Sequence, residues 1–189
     1  MAEDASAFIG RKEIEIKLRL TGLAEGRRRL REAGFRVVRR RVFEQNVILD
    51  TPGHALRRRG LLLRLRTSGA RSLVTFKGPS ERGKHKIRKE IEFYLQDGAE
   101  ACLEVLEALG YRPAFRYEKF RTEYVLPPVT SGRAMLDETP VGIFLELEGP
   151  PRWIDRTARL LGFPESAYIT ASYAELHAAA ANGHRDMLF

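Results

Sequence analysis

The chain has 189 residues, 43% of them hydrophobic, which suits a packed core and excludes wholesale disorder. A single cysteine, Cys102, excludes a disulfide framework within the chain, and no apolar run approaches the roughly 20 residues of a membrane span. Lys and Arg number 33 against 25 Asp and Glu, a net charge of +8, so nucleotides, polyphosphate and nucleic acid are natural partners.

The opening segment MAEDASAFIG has neither a basic start nor an apolar signal core, so a cytoplasmic location is expected. The first strand is expected over 11–20. A helix follows over 23–34, opened by Thr21 as a cap and closed by Gly34. Strands are expected at 42–50, 61–67, 72–77 and 86–95, with a short helix over 53–59. A helix runs from Asp97 to Gly110, then strands at 116–126, 132–138 and 143–148. One helix ends at Gly162, and the last has Ser172 as N-cap and Gly183 as stop. The basic runs Arg27–Arg31 and Arg36–Arg41 read as solvated faces of the first helix and its following loop. No linker or low-complexity tract interrupts the series, so one domain over 1–189 is expected.

The strand KEIEIKLRL sets Glu13, Glu15 and Lys17 on one face and Ile14, Ile16, Leu18 and Leu20 on the other. The same alternation pairs Arg64 with Arg66, Thr75 with Lys77, and Arg88 with Glu90 and Glu92. It also pairs Lys119 with Arg121 and Glu123, Arg133 with Asp137, and Glu146 with Glu148. Glu-x-Glu recurs in three strands, each followed by a helix that stops at Gly plus an aromatic. Amphipathic helices can cover the apolar faces. The ionic faces then either meet water on an open sheet or line the interior of a closed barrel. Closure removes the costly edges of long strands, and the near balance of acidic and basic residues suits a buried interior. The expected fold is therefore α+β: an eight-stranded antiparallel closed β-barrel with a charged lumen and helices packed outside.

Clustered carboxylates bind a hard divalent cation such as Mg2+ or Mn2+, and Arg and Lys clamp phosphate oxygens. Together they describe a metal–polyphosphate site. Nucleophilic triads have little support. The single cysteine and His54, His85, His177 and His184 lack motif context, and His54 and His85 read as surface loop residues. No Walker loop, dinucleotide-binding fingerprint or zinc spacing is present.

The sequence resembles the CYTH superfamily of class IV adenylyl cyclases and thiamine triphosphatases, the triphosphate tunnel metalloenzymes. The resemblance rests on Glu13-Ile14-Glu15-Ile16-Lys17, on LDTPGHALRRRGLLLRLR (49–66), and on VTFKGP, RKEIEF, YEKFRTEY, MLDETPVGIFLELEG and SYAEL, in order across about 8–176. It implies a triphosphate tunnel in which Glu13, Glu15, Asp137, Glu146 and Glu148 hold the metal. Lys17, Arg64, Arg66, Lys77, Lys119 and Arg121 would grip the triphosphate, with Glu13, Glu15 and Lys17 catalytic. Arg88, Glu90 and Glu92 would line the lumen, Lys84 could reach the tunnel mouth, and Tyr173 with the last helix could cover one end.

The implied substrates are ATP, inorganic triphosphate or thiamine triphosphate. Class IV cyclases resemble Phe8 and Gly10 ahead of the Glu-x-Glu-x-Lys strand, which leans slightly towards ATP cyclisation to cyclic AMP and pyrophosphate. A triphosphatase is the near alternative, and a non-catalytic polyphosphate or RNA-end binder the third. DNA and membranes are not expected partners, while a homodimer is compatible with the reading. Glu15→Ala or Glu146→Ala is expected to abolish metal-dependent turnover with the fold intact, and Arg66→Ala chiefly to weaken triphosphate binding.

Overall fold

The computed structural model describes residues 10–81, 83–96, 98–180 and 185–189. Phe8, Asp97, Gly183 and His184, which figure in the sequence expectations, lie outside the described residues. Eight strands form the sheet: β1 (Arg11–Leu20), β2 (Arg36–Asp50), β3 (Leu62–Ser68), β4 (Arg71–Lys77), β5 (Lys86–Leu95), β6 (Arg112–Leu126), β7 (Val129–Thr139) and β8 (Gly142–Glu148). All pairings are antiparallel in the order β1-β5-β4-β3-β2-β6-β7-β8, and β8 returns to β1, closing the barrel. Closure settles the open alternative: the ionic face of β1 points into an enclosed lumen.

The helices are α1 (Leu23–Glu32), α2 (Ala55–Arg58), α3 (Ala99–Ala108), α4 (Pro151–Leu160) and α5 (Tyr173–Ala179). α1 and α4 bury Leu30, Trp153, Ile154 and Ala158 against the outward apolar residues of β1, β7 and β8, including Ile16, Leu18, Leu136, Leu145 and Leu147. Each such fully buried aliphatic side chain contributes about 1.5–3 kcal/mol. Two glycines make this packing possible. A Cβ at Gly26 of α1 would stand 2.7 Å from a Leu20 methyl, and one at Gly132 of β7 would stand 2.3 Å from the Trp153 ring. On the opposite side α3 packs Leu103 and Leu106 against Leu49, Leu65 and Val74 of β2, β3 and β4.

A third cluster sits at one end of the lumen. Tyr117 and Phe144, on the lumen parity of β6 and β8, pack with Tyr173 of α5 and with Met187 of the C-terminal segment. Met187 is held there by backbone hydrogen bonds with β6, donating to Arg116 and accepting from Glu118. Ser172 caps α5, accepting from the backbone N–H of Glu175 while the Glu175 carboxylate returns to Ser172.

Several local expectations are corrected. Arg36–Arg41 is not a loop but the first half of β2, paired with the end of β6 through Arg36–Val125, Val37–Tyr124 and Arg39–Glu123. Register shifts between Val37, Arg39 and Val42 break the period-two pattern that marks a strand in sequence. β6 likewise begins at Arg112, earlier than 116. Thr21 does not cap α1. Gly22 holds that position, and both the N–H and the hydroxyl of Thr21 donate to the Glu25 carboxylate at 2.8 Å. Asp50 instead caps a helix: it accepts from the N–H groups of Leu56 and Arg57 at the start of α2.

Candidate active site

The lumen holds a cavity of about 330 Å³ lined by side chains from seven of the strands, with Ser172 and Tyr173 at the end covered by α5. Charge is segregated around it. Lys17, Lys77 and Lys86 neutralise part of an acidic wall on β1, β5 and β8. Lys77 Nζ lies 2.6 Å from Glu13 and 3.0 Å from Glu90, and Lys86 Nζ lies 3.0 Å from Glu15. Lys17 Nζ lies 3.2 Å from Glu15 and 3.3 Å from Glu146. Among the described residues Glu148 pairs only with Arg11, at 3.6 Å, a guanidinium shared with Glu90 and Glu92. Burial raises the Glu148 pKa to about 7, and neighbouring Glu13, Glu90 and Glu15 add to the rise against the pull of Arg11.

The basic wall is built on β3 and β6. Arg64 donates to Thr75 Oγ1 at 3.0 Å and to Tyr117 Oη at 3.3 Å, and pairs with Glu92 at 3.4 Å. Arg66 Nε donates to Asn46 Oδ1 at 2.9 Å. Lys119 Nζ donates to Asp137 at 2.8 Å, and Arg121 donates to both oxygens of the same carboxylate and pairs with Glu146. Tyr173 also donates to Asp137, at 2.7 Å. Lys17 and Lys119 both stand over the Tyr173 ring, at 5.2 and 5.1 Å from its centre.

The residues singled out from sequence therefore separate. Glu13, Glu15, Lys17, Arg64, Arg66, Lys77, Arg88, Glu90, Glu92, Lys119, Arg121, Glu146, Glu148 and Tyr173 line one cavity. Asp137 is fully buried behind that lining, its carboxylate saturated by Lys119, Arg121 and Tyr173. Arg88 directs its guanidinium to the backbone oxygens of Gly78 and Gly60, at 2.7 and 2.8 Å, tying two loops together. Lys84 does not line the lumen. Asp155 and Glu165, at 3.0 and 3.1 Å, hold it outside. His85 is not a surface residue but is buried, 2.8 Å from Asp155.

Polar lumen-side residues outside the sequence expectations include Glu44, Asn46, Lys86 and Tyr117. Parity carries all four. Lys86 shares the face of Arg88, Tyr117 that of Lys119, and Glu44 and Asn46 lie two apart on β2. Tyr117 is chemically distinct. Burial would raise its pKa, but Arg64, Arg66 and Lys119 outweigh burial and bring it down to about 8. A tyrosine depressed in the folded state adds stability above its unfolded pKa, near 10, and loses it as pH falls through 8. Spectrophotometric titration at the tyrosinate band is expected to show one phenol ionising near pH 8, absent from Tyr117→Phe. An unchanged titration curve in that variant would refute the assignment.

Among the described residues no three carboxylates stand ready to hold a common cation. The acidic wall nevertheless has the donor chemistry of a hard divalent ion, and the raised Glu148 pKa marks a shortage of positive charge there. The residues fit such an ion provided Lys77 or Lys86 turns from its carboxylate towards a bound anion.

Comparison with known proteins agrees with this geometry. A Methanocaldococcus jannaschii protein, provisionally named an adenylate cyclase, is 27% identical over 137 residues, 72% of this chain and 75% of its own length. The fold matches a Vibrio parahaemolyticus structure, also provisionally named an adenylate cyclase, with a TM-score of 0.76 at 21% identity over 90% of this chain and 99% of the other. It also matches a Hippeastrum protein, provisionally named an adenylyl cyclase and described as having a dominant triphosphatase activity. There the TM-score is 0.62 at 16% identity, over 89% and 95% of the two chains. The model of the CYTH domain matches residues 11–153, which begin with the Glu13-x-Glu15-x-Lys17 strand, and the chain therefore belongs to the CYTH domain family.

Proposed function

We propose that this chain is a metal-dependent enzyme that hydrolyses the terminal phosphate of a triphosphate compound held in the barrel lumen. The observation that carries the reading is the segregated lumen: a wall of Arg64, Arg66, Lys119 and Arg121 faces carboxylates whose Glu148 lacks a full counter-charge. CYTH proteins are adenylyl cyclases and triphosphatases and are in general metal-dependent.

In this reading Lys17, Lys77 and the four basic-wall residues bind the phosphate oxygens and neutralise the charge on the leaving group. Glu13, Glu15, Glu146 and Glu148 would hold Mg2+ or Mn2+, which when bound polarises the phosphoryl group and lowers the pKa of water. Asp137 supports the site from behind by orienting Lys119 and Arg121, rather than serving as a ligand. Glu15 and Lys17 orient the reacting groups: Glu15 accepts from Lys17 and Lys86, so the two ammonium groups converge on one point. Attack by water breaks the bond to the terminal phosphorus and leaves orthophosphate and the shortened anion.

Hydrolysis comes first because most of the cavity lining is ionic and offers a triphosphate more partners than a nucleoside. Cyclisation of ATP is the second reading. It is favoured by the likeness to the M. jannaschii protein and by Gly10, which precedes the Glu-x-Glu-x-Lys strand.

The test incubates the purified chain with Mg2+ or Mn2+ and, separately, ATP, inorganic triphosphate and thiamine triphosphate, with Glu15→Gln as the blank. Orthophosphate without cyclic AMP is the expected product. Cyclic AMP with pyrophosphate would move the protein to the cyclases. Absence of turnover would leave a triphosphate-binding module.

A further inference from the structure

Glu44 lies on β2 opposite Lys119 of β6 and Ser68 of β3, and it is fully buried. Neither of its oxygens accepts a hydrogen bond from the described residues. Three cations nevertheless surround it: Arg66 Nε at 3.6 Å, Lys119 Nζ at 3.7 Å and an Arg39 amino group at 3.9 Å. Each directs its short hydrogen bonds elsewhere. Arg66 Nε donates to Asn46 at 2.9 Å and Lys119 to Asp137 at 2.8 Å, while Arg39 donates to Ser68 at 2.8 Å and Glu123 at 3.2 Å.

A buried carboxylate with no hydrogen bond is an expensive arrangement unless its charge is needed. Burial favours its protonation, but Arg66, Lys119, Arg121 and Arg64 keep the pKa down at about 2, so it is ionised. Glu44 thus acts through charge, not through directed bonds. Among the described residues it is the only carboxylate within ion-pair distance of Arg66. When phosphate oxygens enter the lumen, the same guanidinium and ammonium groups acquire a second anion. Two anions then share one set of cations.

We propose that Glu44 is a positioning residue, the built-in counter-charge of the phosphate clamp, which competes with a bound oligophosphate for Arg66 and Lys119 and so limits how tightly substrate and product are held. The inference rests on the reading of the lumen as a triphosphate site. It assigns a use to a side chain that does not itself reach the cavity surface.

The probe is inorganic triphosphate, with pyrophosphate in parallel, titrated calorimetrically into metal-free protein. Glu44→Gln is expected to bind both anions roughly tenfold more tightly than wild type, as for removal of a nearby like charge, and to turn over more slowly because product leaves more slowly. Glu44→Asp, which keeps the charge, is expected to bind as wild type does. A merely structural role would lower stability without tightening the anion, so equal or weaker binding by folded Glu44→Gln overturns the inference. Asn46→Asp tests it without touching Glu44. A second carboxylate on Arg66 should weaken triphosphate binding by a similar factor, and unchanged affinity there would also count against it. If wild type binds neither anion, the triphosphate reading falls and this inference with it. If wild type binds and the Gln variant gains nothing, the counter-charge alone is lost.

Discussion

Asp137→Ala is expected to destabilise the protein by about 3–5 kcal/mol, the range for removing one partner of a buried ionic network. For a 189-residue chain this corresponds to a fall in Tm of roughly 6–20 °C. Asp137 is fully buried and joins three donors: Lys119 at 2.8 Å, Arg121 through both of its oxygens, and Tyr173 at 2.7 Å. Its loss leaves Arg121 with Glu146 and Lys119 with the unbonded Glu44. It also releases the hydroxyl that ties α5 to the barrel. Tyr173→Phe removes only that last bond and is expected to lose about 1 kcal/mol. Inorganic triphosphate should recover part of the Asp137→Ala loss, since a new anion then meets the freed cations. Denaturant unfolding of the three proteins, with and without the anion, checks all of this. An Asp137→Ala variant within 1 kcal/mol of wild type would show that the carboxylate is not the keystone of the basic wall.

The same network revises an expectation about the acidic residues. Glu146 pairs with Lys17 and Arg121, and Glu15 pairs with Lys17 and Lys86, all of them buried except the partly exposed Lys86. Alanine at either position would unbalance buried ammonium or guanidinium groups, so the fold would not be indifferent. Glutamine is the cleaner replacement.

Alternation made most of the barrel readable. KEIEIKLRL and IFLELEG alternate charged and apolar residues, and because amphipathic helices cover the apolar face from outside, closure of the sheet leaves the charges in the lumen. The first half of β2 escaped because its bulges remove the period, and its arginines mimic a solvated loop. Glu44 lies just beyond those bulges, where its parity with Asn46 is a short signal that the disrupted half of the strand does not extend. Pairing distances were beyond reach altogether. Nothing in RAMLDE distinguishes a metal ligand from the saturated carboxylate that Asp137 is, and nothing in GKHKIR announces that His85 and Lys84 meet Asp155 on α4, seventy residues away.

Glu148→Gln is expected to have the opposite sign from Asp137→Ala. The Glu148 carboxyl titrates near 7 in the folded protein against an ordinary value of 4.5. Between those values the folded chain holds a proton that the unfolded chain has released. The stability this group contributes is therefore present at low pH and is lost as pH rises through 4.5 to 7. At pH 8 the ionised carboxylate opposes folding by up to about 3 kcal/mol. Glutamine cannot ionise, so without divalent metal the variant should be the more stable protein at pH 8, with the difference shrinking towards zero near pH 4.5. Mg2+ or Mn2+ should invert the ranking, because a cation neutralising Glu13, Glu15 and Glu148 stabilises wild type and has fewer ligands in the variant. Thermal unfolding at pH 5 and pH 8, with and without metal, gives four comparisons. A variant less stable than wild type at pH 8 without metal would mean that Arg11, 3.6 Å away, already neutralises Glu148 fully. The acidic wall would then have no charge deficit for a cation to fill. A stabilised variant whose gain disappears on adding metal would tie the strained carboxylates directly to cation binding.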